Sequence, residues 1–390
     1  MHHPHFALLE PYSCCNSAYR GTAIAANYAW QREMNCLERP HVSREIFLMA
    51  GYRLFGADTS PYSFKVRSAL RFKGLDFEWV ARCAANEAEF RELAKTPTVP
   101  LLVSPEGKVN QDSTQILVIL DRAHPEPAIQ PDDAALAALS LILEDYADEW
   151  LNKAMFQQRW GQMPDRDAAS IRVLVQINGG KRPRAYKTPA KQIAQRMLAR
   201  LPLVGAEGEN APALEASYRQ FAQLLNAHLK EHLFIFGGHP SAADFALAAQ
   251  FQQMLTDPTP AAWLNDRAPF VVAWCENMAD PKAGGPYASL EALAPTLLPL
   301  FEAEVARTYL PWANANGASA SCQKKRFSVT LETGTFEQAT QNYAARAFQK
   351  LRDKVRSVKE ADALSAFLKD AGAAEFFAEP SRTKQKTPAA

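Results

Sequence analysis

The sequence predicts an α+β domain followed by an all-helical one, and three observations carry that prediction. From Tyr52 to Ala123 short apolar runs alternate with amphipathic stretches in the order strand, helix, strand, helix, strand, strand, helix. From Ala134 onward the apolar residues recur at helical spacing. Between the two lies "HPEPAIQPDD", a proline-rich stretch of the kind that links domains. A chain of 390 residues has ample length for more than one core.

The first domain reads element by element. "YRLFG" is a short strand. "SPYSFKVRSALRFKG" then opens on Ser60, a helix-capping residue, and Pro61, which suits the first helical position. Phe64, Val66, Ala69, Leu70 and Phe72 supply the apolar face, and Gly74 ends the helix. "DFEWVAR" is a second strand and "EAEFRELAK" a second, short helix. "VPLLVSPEGKVNQD" is a hairpin turning at Pro-Glu-Gly-Lys, and "STQILVILDRA" is a third helix starting at Ser113. This βαβ, αββα order is that of a thioredoxin-like sheet. Pro100 stands just before the hairpin strand, where a proline interrupts any ladder and belongs at an edge, bulge or turn.

Composition narrows the function classes. Lys plus Arg number 43 against 42 Asp plus Glu, a net charge of +1, so no global field draws the chain to nucleic acid or anionic lipid. No apolar run approaches the ~20 residues of a membrane span. The six cysteines are scattered, without zinc-site spacing or the density of a disulfide scaffold, so a reducing, cytoplasmic compartment and no metal are expected. Residues 1–48 lack any sustained period and are expected to be a flexible extension, with His2, His3 and His5 on a solvated tail.

"SPYS" at the first helix start, "TVP", "DS" at the third helix start and "HPSAADFALAAQF" in the helical half occur in that order. Together they make residues 50 to about 310 resemble the cytosolic glutathione transferase superfamily, with details similar to a bacterial branch whose chains continue past the usual end. The resemblance implies a thioredoxin-like domain over 50–128, an all-α domain over 132–312 and a helical extension over 313–390. It implies glutathione as co-substrate, a small electrophilic, hydrophobic second substrate, a role in detoxification and a homodimer. Isomerase, lyase and dehalogenase variants share these residues, and a non-catalytic binding or assembly module of the same fold is the alternative. The glycine-lysine pair common before the proline is missing from "TPTVP".

The same resemblance implies the site. Val99, ahead of a proline commonly cis at Pro100, would offer its backbone to the cysteinyl amide of glutathione. Asp112 and Ser113 would hold the γ-glutamyl end, which agrees with the preference of a helix N-terminus for a carboxylate and of an acid for an ammonium. Ser60 would donate a hydrogen bond to the thiolate, with Tyr62 a second candidate donor. Both ends of Ser60-Pro61-Tyr62-Ser63 are serine, so disulfide exchange has no thiolate to start it.

In the helical half, the resemblance implies that Tyr146, Trp150, Phe156 and Trp160 are candidates for the wall of the electrophile pocket, although such a stripe is usually core. Ser241 and Asp244 have capping-box spacing. "ANANGASASCQKKR" reads as a flexible connector, "FEQATQNYAARAFQKLRDKVRSV" and "ADALSAFLKDAG" as amphipathic helices, and the final residues as a disordered tail.

Overall fold

A computed structural model of the chain describes residues 51–206, 208–359 and 362–379. The expectations for residues 1–48 and for the tail beyond residue 379 lie outside them. Strands β1 (Tyr52–Gly56), β2 (Phe77–Ala81), β3 (Leu101–Val103) and β4 (Val109–Gln111) form one sheet in the order β2-β1-β3-β4. β1 and β2 are parallel and the β1–β3 and β3–β4 pairs antiparallel, with Leu54 opposite Trp79 and Leu102. Helices α1 (Pro61–Phe72), α2 (Glu87–Leu93) and α3 (Ser113–Ala123) complete the unit. This is the thioredoxin-like arrangement expected from the sequence.

The two-residue period of the strands decides which side chains go where. Leu54 and Leu102 point into the main core shared with α1 and α3. Phe55, Leu101 and Val103 point the other way and close on Phe90 of α2. Each such side chain contributes about 1.5–3 kcal/mol by leaving water. α1 starts as predicted: Ser60 is its N-cap, Ser60 Oγ accepts from Ser63 N at 3.3 Å, and Pro61 opens the first turn. It stops at Gly74, whose φ of 62° is the left-handed value that favours glycine.

The second half is helical. α4 (Ala134–Tyr146) runs through a π-helical turn at Ala147–Leu151 into the helix Asn152–Gly161. Tyr146, Trp150, Phe156 and Trp160 are all buried here. Helices Asn210–Glu231 and Ala242–Leu255 pack on this long element. Asp244 caps the second of them: Oδ2 accepts from Ser241 N and Oγ, both at 2.8 Å, and Oδ1 accepts from Ile235 N at 2.9 Å and Trp274 Nε1 at 3.2 Å. Burial pushes its carboxyl up to about 6. Asp244→Ala orphans these donors, so urea unfolding should show a loss of about 1–3 kcal/mol, while ligand binding at the distant sheet stays unchanged.

Two expectations for the C-terminal region change. The stretch read as a connector begins inside the helix Leu310–Ser321, in which Trp312 and Asn316 are buried. Asn316 holds Gln341 from both sides, accepting from its N–H at 2.8 Å and donating to its carbonyl at 2.9 Å. Strands β5 (Arg326–Leu331) and β6 (Gly334–Ala339) form a hairpin, so "FEQA" is strand, and the helix begins only at Asn342 and runs to Arg356. Ala344, Phe348, Leu351 and Val355 are its buried face.

Candidate functional site

A cavity of about 510 Å³ opens where the sheet meets the helical half. One wall is the loop before β3. The Val99–Pro100 peptide is cis, and neither the N–H nor the C=O of Val99 is hydrogen-bonded among the described residues. Gln111, at the end of β4, holds that loop in shape. Its Oε1 accepts from Lys95 N (2.9 Å) and Thr96 N (3.1 Å), and its Nε2 donates to the carbonyls of Thr96 (3.0 Å) and Thr98 (2.8 Å). Sequence reasoning passed over Gln111 and Lys95, both of which line the cavity. The signal available was the polar residue directly before "DST".

The next wall is the start of α3. Asp112 is its N-cap, and Asp112 Oδ1 accepts from Gln115 N at 3.3 Å. The residue sits at φ 79° and ψ 109°, a conformation that costs a non-glycine residue roughly 1–3 kcal/mol and tends to persist at functional positions. Ile116 N bonds back to the Asp112 carbonyl. The N–H groups of Ser113 and Thr114 are the first-turn donors left without helical partners. Asp112 Oδ2 accepts from the hydroxyl of Tyr343 at 2.6 Å, and Tyr343 and Arg346 of the C-terminal helix line the same cavity.

The third wall comes from α1 and the π-helical turn. The Tyr62 hydroxyl donates to the Asp148 carbonyl at 3.0 Å. Asp148 and Glu149 face the cavity. Behind them Lys65, fully buried, reaches Glu144 Oε1 and Asp148 Oδ2 at 2.7 Å each and Thr114 Oγ1 at 3.1 Å. Burial works against the Lys65 charge, but Asp148 and Glu144 outweigh it and hold the ammonium above its usual range. Burial pushes the carboxyls of Asp148 up to about 6 and Glu149 up to about 8, with repulsion from Asp145 adding to the latter. Burial thus favours the neutral form of Glu149, which lightens the negative charge of this wall.

The structure brings Tyr62, Val99, Pro100, Asp112 and Ser113 together around one cavity. Ser60 is not on its lining. It is buried (1 % exposed) at the start of α1, two residues before Tyr62. Its hydroxyl accepts from Ser63 N, and its own proton reaches no acceptor among the described residues. Tyr146, Trp150, Phe156 and Trp160 are a correction: they do not line the cavity. Tyr146 stacks on Phe221 at 4.7 Å, the Trp150 indole donates to Ser217 Oγ at 2.9 Å, and Phe156 and Trp160 pack together at 6.3 Å. Their stripe is the core face of the helix, and its polar neighbours Asp148 and Glu149 are what the cavity sees.

The loop leading to Ser60 is fixed from the helical half by a residue that sequence reasoning missed. Arg159, buried, donates Nε to Asp257 Oδ2 (2.8 Å) and Nη1 to the Thr59 carbonyl (3.0 Å). Its Nη2 reaches Gln253 O (2.8 Å), Gln253 Oε1 (2.9 Å) and Thr256 Oγ1 (3.1 Å). Gln253 Nε2 in turn donates to the Asp58 carbonyl at 3.0 Å. Among the described residues no cluster of His, Cys, Asp and Glu is arranged to hold a metal, and no helix is long and apolar enough to cross a membrane.

Residues 59–123 match the family model described as glutathione S-transferase, N-terminal domain, and residues 207–277 match glutathione S-transferase, C-terminal domain. The curated protein Glutathione S-transferase Z2 of Arabidopsis thaliana is 33 % identical over 91 residues, 22 % of this chain and 40 % of its own. A probable glutathione S-transferase of Solanum tuberosum is 31 % identical over 104 residues, 26 % of this chain and 47 % of its own. The chain thus spans less than half the length of the curated relatives it matches. Among solved structures, a glutathione S-transferase from Rhodospirillum rubrum aligns with TM-score 0.40 and 19 % identity over 64 % of this chain and 91 % of its own. The beta-etherase LigF of Sphingobium aligns with TM-score 0.39 and 17 % identity over 65 % and 99 %. With both domain models matched in order on a thioredoxin-like sheet followed by helices, the chain carries the N- and C-terminal domains of the glutathione S-transferase family.

Proposed function

We propose that this cavity binds glutathione and that the enzyme conjugates or exchanges its thiol at an electrophilic centre of a second small molecule. The observation that carries the proposal is the free Val99 backbone beside the cis proline, on the same cavity as the start of α3. A tripeptide laid along Val99 gains two main-chain hydrogen bonds, like an added strand. Its γ-glutamyl ammonium meets the Asp112 carboxylate and its α-carboxylate meets the first-turn N–H groups of Ser113 and Thr114, at the positive end of the helix dipole. Lys95, on the loop wall, is the cation on the glycyl side in place of the missing glycine-lysine pair. The domain division 50–128, 132–312 and 313–390 and a homodimer complete the reading, the dimer checked by light scattering at micromolar concentration.

In this reading the thiol loses its proton to water, and the thiolate attacks the electrophile, forming a carbon–sulfur bond as the leaving group departs or the double bond accepts the electron pair. Ser60 is the proposed thiolate donor. It lies at the positive end of α1, and its O–H reaches no acceptor among the described residues, whereas Tyr62 gives its own proton to Asp148. A hydrogen bond to a charged group is worth roughly 1.5–3 kcal/mol, so Ser60→Ala should lower kcat about ten- to a hundredfold with glutathione affinity nearly intact. Asp112→Ala should do the opposite, raising the dissociation constant because its contact is made equally in ground and transition states. Steady-state kinetics and calorimetric titration decide: wild-type turnover in Ser60→Ala together with slow turnover in Tyr62→Phe reassigns the donor to Tyr62.

The burial of Ser60 behind the cavity wall favours one other reading, a module that binds glutathione without turning it over. Retention on glutathione-agarose with no conjugation of a generic aryl halide would support the module.

A further inference from the structure

We propose that the C-terminal helix Asn342–Arg356 completes the ligand site: Arg346 binds the α-carboxylate of the γ-glutamyl head, and Tyr343 positions the Asp112 carboxylate for the adjacent ammonium. The proposal rests on the glutathione reading above and adds to it residues 231 and more positions away from Asp112 in sequence. Three observations support it. The Tyr343 hydroxyl already donates to Asp112 Oδ2 at 2.6 Å, while Oδ1 is occupied by Gln115 N, so the carboxylate is oriented from both sides. Arg346 lies three residues beyond Tyr343, hence on the same helix face, and lines the same cavity with no ion pair among the described residues. The helix is anchored rather than loosely laid: Asn316 brackets Gln341 at its start, and Phe348 packs edge-on against Tyr309 at 6.3 Å.

The charge pattern gives the chemistry. The Asp112 and Asp148 carboxylates make this end of the cavity acidic, which suits an ammonium and repels a carboxylate. A ligand head carrying both charges on one carbon needs a cation beside the acid. Arg346 shares the helix of Tyr343, whose hydroxyl bonds Asp112, so the cation at this end is Arg346, acting with the first-turn N–H groups of α3. A free guanidinium next to an oriented carboxylate is a receptor for an α-amino acid head. Tyr343 is thus a positioning residue and Arg346 a binding one.

The test is calorimetric titration of the full chain and of Arg346→Gln and Tyr343→Phe with three ligands: glutathione, the analogue whose γ-glutamyl α-carboxylate is replaced by hydrogen, and the analogue whose ammonium is. Arg346→Gln should weaken glutathione about tenfold and leave the decarboxylated analogue unchanged. Tyr343→Phe should weaken glutathione several-fold and leave the deaminated analogue unchanged. Melting temperatures of both variants should equal that of the wild type. Equal loss for all ligands, or no loss for any, overturns the inference while wild-type binding keeps the glutathione reading alive. A wild-type chain that binds none of the three overturns both.

Discussion

Arg159→Leu should unfold at markedly lower urea concentration and temperature than the wild type, with a loss of about 3–5 kcal/mol, the usual cost of leaving one partner of a buried ion pair behind. Asp257, fully buried, would keep its contact with Arg172, and the Thr59 carbonyl and Gln253 Oε1 would lose their donor. For a domain of this size the melting temperature should fall by roughly 6 °C or more. Arg159→Lys keeps the charge but not the planar fork that reaches several acceptors at once, so it should recover only part of the loss. The effect should extend to chemistry. Thr59 precedes Ser60, so a loosened loop should depress kcat at temperatures where the variant is still folded, and a variant as stable and as active as the wild type would rule out the clamp.

The second large effect belongs to Lys65. Lys65→Met leaves Glu144 and Asp148 facing each other without their buried cation, again about 3–5 kcal/mol at pH 8. The pH dependence follows from the direction of the carboxyl shifts. Burial already raises Asp148 to about 6, above its unfolded value, and removing the ammonium raises it further. A carboxyl whose folded pKa is raised contributes stability that is complete below its unfolded pKa, about 4, and is lost as pH climbs through the folded value. The deficit of Lys65→Met should therefore be smaller at pH 5 than at pH 8, measured by urea unfolding at both. A deficit independent of pH would mean that Lys65 contributes packing rather than charge. Because Asp148 also holds Tyr62 through its carbonyl, glutathione affinity should fall in the same variant.

Local chemistry made much of the fold and part of the site legible. Ser60, Pro61 and Gly74 mark the ends of α1 because a cap, a fixed φ and a positive φ act within a few residues of themselves. The same holds for Asp112 at the start of α3 and for the Ser241–Asp244 box. The β5–β6 hairpin was readable too, since Phe327, Val329 and Leu331 alternate ahead of a Thr-Gly turn, but the helical pattern downstream masked it. Helix Leu310–Ser321 was not readable: alanines, asparagines and serines fit either a helix or a linker, and buried Trp312 and Asn316 choose the helix.

What the sequence determined by itself is therefore the order of elements and the division into a sheet-bearing and a helical part, since each depends on backbone preferences set by neighbours, while the grouping of Tyr62, Val99, Pro100, Asp112 and Ser113 followed from the family resemblance. Only the tertiary structure decided which face of the aromatic stripe is core, that Gln111 shapes the loop 15 and 16 residues before it, that Arg159 reaches Asp257 across 98 residues, and that Tyr343 meets Asp112 across 231. Hydrogen bonds and ion pairs of that reach are fixed by how whole elements pack, and periodicity along the chain carries no record of the partner.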